Sequence, residues 1–130
     1  MNIKDKSFKL LNGDKMNKEI EKLREEFKLS RKVLVALGDE NRQHLILMMM
    51  SMGKPQGVRV GPITEKSNLS RPAVSHHLSI LKEAGIIKVR KEGTKNYYYF
   101  DADNEAINTL LNMLKHAKEI TSNRTKIKEE

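Results

Sequence analysis

Residues 69–87 contain the start, the two faces and the end of one helix, and they read Leu-Ser-Arg-Pro-Ala-Val-Ser-His-His-Leu-Ser-Ile-Leu-Lys-Glu-Ala-Gly-Ile-Ile. Ser70 is a favourable N-cap, Pro72 suits the first turn and Gly85 is typical of a helix end, so we predict a helix over residues 71–84. Its apolar positions recur at helical spacing and form one face: Val74, Leu78 and Leu81. The opposite face has no large apolar residue and consists of Arg71, Pro72, Ser75, His76, Ser79 and Lys82.

The polar face of this helix has the side chains that a DNA-reading helix requires. In a helix-turn-helix the second helix enters the major groove and its N-terminal residues meet base edges, which requires short donors and acceptors and a cation. Arg71 can pair bidentately with a guanine edge, and Ser75 and His76 can exchange hydrogen bonds with a base or a phosphate. We therefore predict DNA binding by Arg71, Ser75, His76 and Ser79. An ordinary solvated helix face is the alternative, and His77, beside the apolar face, is predicted to be a structural histidine.

The spacing of the pattern changes after this helix. Apolar and basic side chains alternate over residues 87–90 and Lys91 follows, residues 92–95 read Glu-Gly-Thr-Lys, and an aromatic segment follows over 96–100, which together predict a β-hairpin. Basic side chains near its tip can reach phosphates that flank a major-groove site, and we predict contacts from Arg90, Lys91 and Lys95. The three consecutive tyrosines, residues 97–99, must point to both faces of the strand, so at least one is expected in the core.

Helical patterns flank this motif on both sides. We predict a first helix from Met16 to near Gly38, a second from Asp39 to Gly53, then a connection with at most one short strand, and a short helix over 63–68. A last helix is expected over 104–121. This order is that of a winged helix-turn-helix, a mainly α fold with a small β-hairpin wing. Residues 1–15 are expected to form a loosely ordered arm, 16–121 the domain with flanking dimerisation helices, and 122–130 a flexible tail.

The basic charge of the chain is concentrated in the segment that contains the predicted helix and hairpin. The 130 residues include 25 Lys and Arg against 17 Asp and Glu, a formal net charge of +8 with a pI near 9.7. Residues 54–100 hold nine basic and three acidic side chains and so carry most of this excess. Such a local excess is typical of a surface that binds polyphosphate or an acidic membrane, with a solvated face as the alternative.

Composition excludes several classes of protein. The longest apolar runs have five and six residues, too short to cross a bilayer, and the first residues have no secretory pattern, so we expect a cytoplasmic protein without membrane insertion. With no cysteine, the chain has no disulfide, thiolate nucleophile, iron–sulfur cluster or zinc–thiolate site. Its four histidines show no arrangement with a nucleophile or carboxylates, so we predict that it is not an enzyme.

Residues 69–87, together with the earlier Leu37-Gly38-Asp39-Glu40-Asn41-Arg42, resemble the ArsR/SmtB family of bacterial winged-helix repressors. The resemblance covers about residues 30–120 and implies a homodimer that binds an inverted repeat in double-stranded DNA and leaves it on a signal. It implies that Arg71, Ser75 and His76 lie nearest the bases and that Lys91 and Lys95 are wing contacts. It also implies dimerisation through the first and last helices, whose apolar stripes comprise Ile20, Leu23, Phe27, Ile107, Leu110, Leu111 and Leu114.

The resemblance also indicates which inducers the protein could detect. Family members that detect soft metals use cysteine thiolates, which this chain lacks. The family's zinc sensors carry Asp-x-His at the start of the last helix and His-x-x-His/Glu near its end. This chain has Asp103-x-Glu105 and His116-x-x-Glu119, but one residue out of register, which rotates a helical side chain by about 100°. We therefore predict no metal and no cofactor, with Asp103, His116 and Glu119 as the candidate ligands if zinc is sensed.

The sequence as a whole predicts a sequence-specific, double-stranded-DNA-binding transcriptional regulator. We expect a homodimeric repressor that does not sense soft metals through thiolates, and its inducer is left unassigned. Two alternatives remain: a winged-helix protein-interaction module that a partner sequesters, and a zinc-responsive repressor that uses its last helix.

Overall fold

The computed structural model describes the backbone over residues 6–129 and the side chains of residues 15–123. Over that range the elements follow in the order α1 (Lys6–Leu37), α2 (Glu40–Ser51), α3 (Val60–Ser67), α4 (Arg71–Glu83), β1 (Lys88–Glu92), β2 (Lys95–Tyr99) and α5 (Glu105–Glu129). This order confirms the predicted winged helix-turn-helix, mainly α with a small hairpin wing.

The chain divides into two compact units, Met1–Ser30 with Thr109–Glu130 and Arg31–Asn108. The second unit contains α2, α3, α4 and the wing, which are the predicted DNA-binding elements. None of the described helices is long and apolar enough to cross a membrane.

The outer ends of α1 and α5 differ from the prediction. α1 begins at Lys6 rather than at Met16, and α5 continues to Glu129 rather than ending near Thr121. Residues 6–15 and 122–129 are therefore helical, where we predicted a loosely ordered arm and a flexible tail; residues 1–5 and 130 lie outside the described residues. Gly13 lies within α1 and does not interrupt it, since a single glycine inside a helix costs only about 1 kcal/mol.

The core of the second unit is formed by side chains of its helices and of the segment that leads into the wing. Seven of its apolar residues are at most 1% exposed: Ala36, Leu45, Ile63, Val74, Leu78, Leu81 and Ile87. α2 begins at the predicted N-cap, where the Asp39 carboxylate accepts a hydrogen bond from the Arg42 backbone N–H at 3.1 Å. This hydrogen bond lowers the pKa of Asp39.

Candidate nucleic-acid interface

The turn between α3 and α4 covers residues 68–70 and is shaped by local side chains. The buried Ser67 hydroxyl donates to the Thr64 carbonyl at 2.9 Å and accepts from the Leu69 backbone N–H at 3.0 Å. Asn68 ends α3 in the left-handed region, with a φ of +60°, which asparagine adopts more readily than most residues. The short helix predicted over 63–68 includes Asn68, whereas in the structure Asn68 follows the last helical residue. Asparagine directly after a helical segment is the signal that identifies such a helix end, while no sequence pattern indicates the role of Ser67.

α4 presents one buried face and one exposed face. Its N-terminus is capped as predicted, because the Ser70 hydroxyl accepts from the Ala73 backbone N–H at 3.3 Å. The inner side chains are completely buried: Val74, Leu78 and Leu81. The predicted reading side chains on the outer face are all exposed: Arg71, Ser75, His76 and Ser79. The fold thus brings these four residues onto one solvent-facing surface at the first turns of a helix, where a recognition helix meets base edges.

His77 lies between the two faces of α4 and contacts an arginine of α2. Arg42 Nη1 donates to His77 Nδ1 at 3.3 Å; since a guanidinium has no acceptor, Nδ1 must accept and the ring proton is assigned to Nε2. The same guanidinium donates to the carbonyls of Ala36 at 2.8 Å and Val35 at 3.2 Å in the last turn of α1. His77 is therefore structural, as predicted. Arg42 is only 8% exposed and contributes to packing rather than to a basic surface.

The wing is an antiparallel hairpin with a two-residue loop, Gly93–Thr94. Gly93 has a φ of +60°, as the first loop position of a type II′ turn requires. Every side chain of the two strands is exposed or half-buried. The prediction that one of the three tyrosines lies in the core is therefore wrong: a two-stranded sheet leaves both of its faces partly open to solvent.

Arg90 is the predicted wing contact whose environment differs most from expectation. Its guanidinium forms an ion pair with Glu92, donates to the Gln56 carbonyl at 3.1 Å and lies 4.6 Å from the centre of the Tyr97 ring. These contacts attach it to its own chain on three sides. From the sequence alone, Arg90 is expected to be a free cation on the wing. The contact with Gln56 is not indicated by any local pattern, because Gln56 lies 34 residues earlier in the chain.

The other two predicted wing contacts, Lys91 and Lys95, are exposed on the strands next to the loop. Among the described side chains, neither takes part in an ion pair. Their ammonium groups are therefore available to an external anion. At the opposite end of the hairpin, Lys88 Nζ lies 2.6 Å from Asp101 Oδ2, and this hydrogen bond raises the pKa of Lys88 and lowers that of Asp101.

The candidate zinc ligands are distributed over the two units. In the first unit, His116 Nδ1 lies 2.8 and 2.7 Å from the two carboxylate oxygens of Glu26, so its partner is Glu26 rather than the nearby Glu119. In the second unit, Asp103 accepts a hydrogen bond from the Asn108 amide at 3.4 Å. Over the part of the chain that the structure describes, no three His, Cys, Asp or Glu residues are arranged to hold a metal ion.

The residues predicted at the dimer interface have different exposures. Phe27, Leu111 and Leu114 are 47%, 58% and 53% exposed and form apolar surface that a partner could cover. Leu110 is already buried in the single chain. The remaining predicted interface residues are half-buried: Ile20, Leu23 and Ile107.

Comparison with known proteins identifies the family. The family model described as "Bacterial regulatory protein, arsR family" matches residues 40–89, from α2 into the wing. An uncharacterised HTH-type transcriptional regulator of Methanocaldococcus jannaschii is 37% identical over 79 residues, which are 61% of this chain and 85% of that protein. The chain belongs to the ArsR family of bacterial regulatory proteins.

Two further similarities agree with the ArsR family. The transcriptional repressor SdpR of Bacillus subtilis is 32% identical over 84 residues, which are 63% of this chain and 89% of that protein. A solved structure described as a predicted DNA-binding transcriptional regulator from Escherichia coli has a TM-score of 0.53 and 26% identity, and the match covers 74% of this chain and 96% of that one. The ArsR-family protein is thus a DNA-binding transcriptional regulator and not an enzyme, as predicted.

Proposed function

We propose that this ArsR-family protein is a sequence-specific repressor that binds an inverted repeat of double-stranded DNA as a homodimer. The observation that carries the proposal is the exposed polar face of α4 above three completely buried side chains. A major-groove reader needs this combination, because the reading side chains must be free while the helix must be fixed. Similarity to a transcriptional repressor favours repression, and the protein would act in the cytoplasm, where the DNA lies.

In the proposed complex, α4 lies in the major groove and the wing lies over the flanking backbone. Arg71 pairs with a guanine edge, while Ser75, His76 and Ser79 exchange hydrogen bonds with bases or phosphates. Lys91 and Lys95 contact phosphates and add affinity that does not depend on base sequence. The basic excess of residues 54–100 supports this arrangement, since it lies in the elements that would face the DNA.

The homodimer is supported by the exposed apolar side chains of α1 and α5. Leu111 and Leu114 are more than half exposed, and burial of the exposed part in an interface contributes roughly half of the about 1.5–3 kcal/mol that full burial of such a side chain gives. A two-fold axis would place the two recognition helices about 34 Å apart, one turn of DNA. In analytical ultracentrifugation we expect a dimer, and a monomer for the double variant Leu111→Glu/Leu114→Glu; a wild-type monomer would contradict the dimer and favour an interaction module with another partner.

Sequence-specific binding is tested by fluorescence anisotropy with the upstream region of the protein's own gene and a random duplex of equal length. We expect binding to the upstream region to be tighter by a factor of about 10³ or more, and both affinities to fall as salt rises from about 50 to 200 mM. Equal affinities for the two duplexes would contradict the repressor. The random duplex is the matched control, because it offers the same number of phosphates.

We also propose that this DNA binding requires no metal or cofactor. Two observations support it: the chain has no cysteine, and His116 is paired with Glu26. In a metal-buffered titration we expect the same operator affinity with a chelator and with zinc. A large change in operator affinity on adding zinc would favour the zinc-responsive alternative. The variant His116→Gln would then show whether the last helix supplies a zinc ligand.

A further inference from the structure

The connection between α2 and α3 contacts the wing at three neighbouring points. On the connection the contacts come from residues 56–58, and on the wing they come from one residue of β1 and two of β2. We call this group the wing anchor; its members are Gln56, Gly57, Val58, Arg90, Tyr97 and Tyr98.

The first contact is a backbone bridge. The Val58 N–H donates to the Tyr98 carbonyl at 2.8 Å, and the Tyr98 N–H donates to the Val58 carbonyl at 2.9 Å. Val58 is itself buried, at 7% exposure, so the connection is fixed to the core on one side and to β2 on the other. An isolated two-stranded hairpin is only marginally stable in water, and this bridge gives the wing a short third neighbour.

The second contact depends on a glycine. Gly57 has a φ of +115°, and a Cβ at this position would lie 2.8 Å from Tyr97 Cβ and 3.2 Å from the Tyr98 carbonyl oxygen. These atoms belong to the backbone of β2 or are attached directly to it, so a side chain at residue 57 could be accommodated only by moving the strand. Glycine thus permits both the backbone conformation and the close approach.

The third contact is made by Arg90. Arg90 and Tyr97 are paired residues of β1 and β2, and the guanidinium lies over the Tyr97 ring while it donates to the Gln56 carbonyl. One planar group therefore joins both wing strands to the connection, a geometry that suits the fork of an arginine and not the point charge of a lysine.

We propose that the wing anchor positions the wing against the DNA, and that Arg90 acts through this positioning rather than by contacting a phosphate. The inference rests on the proposed function, because it needs Lys91 and Lys95 to be the phosphate contacts. Lys91 directly follows Arg90 in β1 and Lys95 lies two residues before Tyr97 in β2, so displacement of the anchored strands displaces both lysines. A base-reading helix and a wing can contact one duplex together only if their separation is fixed.

The experiment measures the salt dependence of operator binding for six proteins: wild type, Lys91→Gln/Lys95→Gln, Arg90→Lys, Arg90→Gln, Gly57→Ala and Gly61→Ala. Loss of both lysines should make the slope of log K against log salt shallower by about 2 per protomer. Arg90→Lys keeps its charge and Gly57→Ala removes none, yet both should make the slope shallower by up to about the same amount, because they displace the two lysines. Gly61→Ala is the matched control, because a Cβ added at residue 61 would have no atom within 4 Å apart from its chain neighbours and the nearby backbone of α3, and the φ of Gly61 is not positive, so the slope should equal that of wild type.

A second readout does not involve DNA. Amide exchange of Val58 and Tyr98, followed by NMR, should be about tenfold faster in Arg90→Lys than in wild type, while the core amides of α4 keep their protection. This readout remains informative if Gly57→Ala fails to fold, since Arg90→Lys changes only a partly exposed side chain.

The outcomes separate the two proposals. If Arg90→Lys and Gly57→Ala bind with the wild-type slope while Lys91→Gln/Lys95→Gln does not, the wing contacts stand and the anchor is overturned. If Arg90→Lys is normal and Arg90→Gln alone makes the slope shallower by about 1, Arg90 is itself a phosphate contact. If loss of the two lysines leaves the slope unchanged, the wing contacts of the proposed function are wrong, and the anchor has nothing to position.

Discussion

The recognition helix and the wing are attached to the protein in different ways. α4 has three completely buried side chains beneath its polar face, whereas no side chain of the wing strands is buried. Burial of a leucine-sized side chain contributes about 1.5–3 kcal/mol, while a hydrogen bond or a cation–π contact contributes about 0.5–1.5 kcal/mol.

This difference in attachment corresponds to a difference in task. Base edges are read by short hydrogen bonds, which require exact placement of the helix, whereas a lysine attracts a phosphate over several ångströms, so the anchored wing needs less exact placement. The helix is therefore expected to determine specificity, and the wing to adjust the affinity for all duplexes.

The largest effect is expected when the buried face of α4 is truncated. Leu78→Ala removes a side chain that is 0% exposed, and we expect the free energy of unfolding in urea to fall by about 2–5 kcal/mol through lost burial and a cavity. Ser79→Ala, at the next and exposed position, is the control and should change it by no more than about 0.5 kcal/mol. Similar losses for the two variants would show that α4 is not fixed by its inner face.

The next effect concerns the exposed face of α4. Arg71→Ala should weaken operator binding by about 1–3 kcal/mol and relax the preference at one base pair, while binding to a random duplex changes little. The control is Arg71→Lys, which keeps the charge but loses the bidentate fork. If Arg71→Lys binds the operator with full affinity and full base preference, Arg71 contacts a phosphate and not a base. At this position α4 would then bind the DNA backbone, as the wing does.

A smaller effect is expected at the N-terminus of the same helix. Ser70→Ala removes the acceptor for the Ala73 N–H and should lower the free energy of unfolding by about 1 kcal/mol. Fraying of the first turn should also weaken operator binding more than random-duplex binding, because Arg71 lies in that turn. Ser70→Asn, another good N-cap, should restore stability; if it is as unstable as Ser70→Ala, the hydroxyl does not act as a cap.

The features that could be predicted from the sequence are those encoded by neighbouring residues. The caps at Asp39 and Ser70, the two faces of α4 and the hairpin all follow from spacing within a few positions, and the structure confirms them. The exposure of the predicted reading residues of α4 could be predicted because a helix with one buried face must expose the other. Whether these residues contact bases is a prediction that the experiments above test.

The features that were missed depend on contacts between distant parts of the chain. Arg42 contacts His77 across 35 residues, and Arg90 contacts Gln56 across 34. No local pattern indicates that the guanidinium groups of these two arginines already form hydrogen bonds within the protein. A count of basic residues therefore overestimates the cations that can reach DNA.

The smallest expected effect belongs to Lys88 and Asp101, another pair that sequence spacing does not indicate, at the base of the wing. Their hydrogen bond lowers the pKa of Asp101 and raises that of Lys88, so the folded state favours both charges. The stabilisation from Asp101 is present above the unfolded pKa of aspartate, about 3.9, and is lost as pH falls through the lower folded value. That from Lys88 is present below the unfolded pKa of lysine, about 10.4, and is lost as pH rises through the higher folded value.

Asp101→Asn tests this pair and also sharpens the comparison between wing and helix. At neutral pH the variant should be slightly less stable than wild type, because both side chains are partly exposed and solvent screens the pair. The difference should shrink in high salt and disappear in acid once Asp101 is protonated. Since the substitution also frees Lys88 and removes a negative charge beside the wing, affinity should rise for operator and random duplex alike. A gain confined to the operator would show that the wing reads sequence, contrary to the division of tasks inferred from how the two elements are attached.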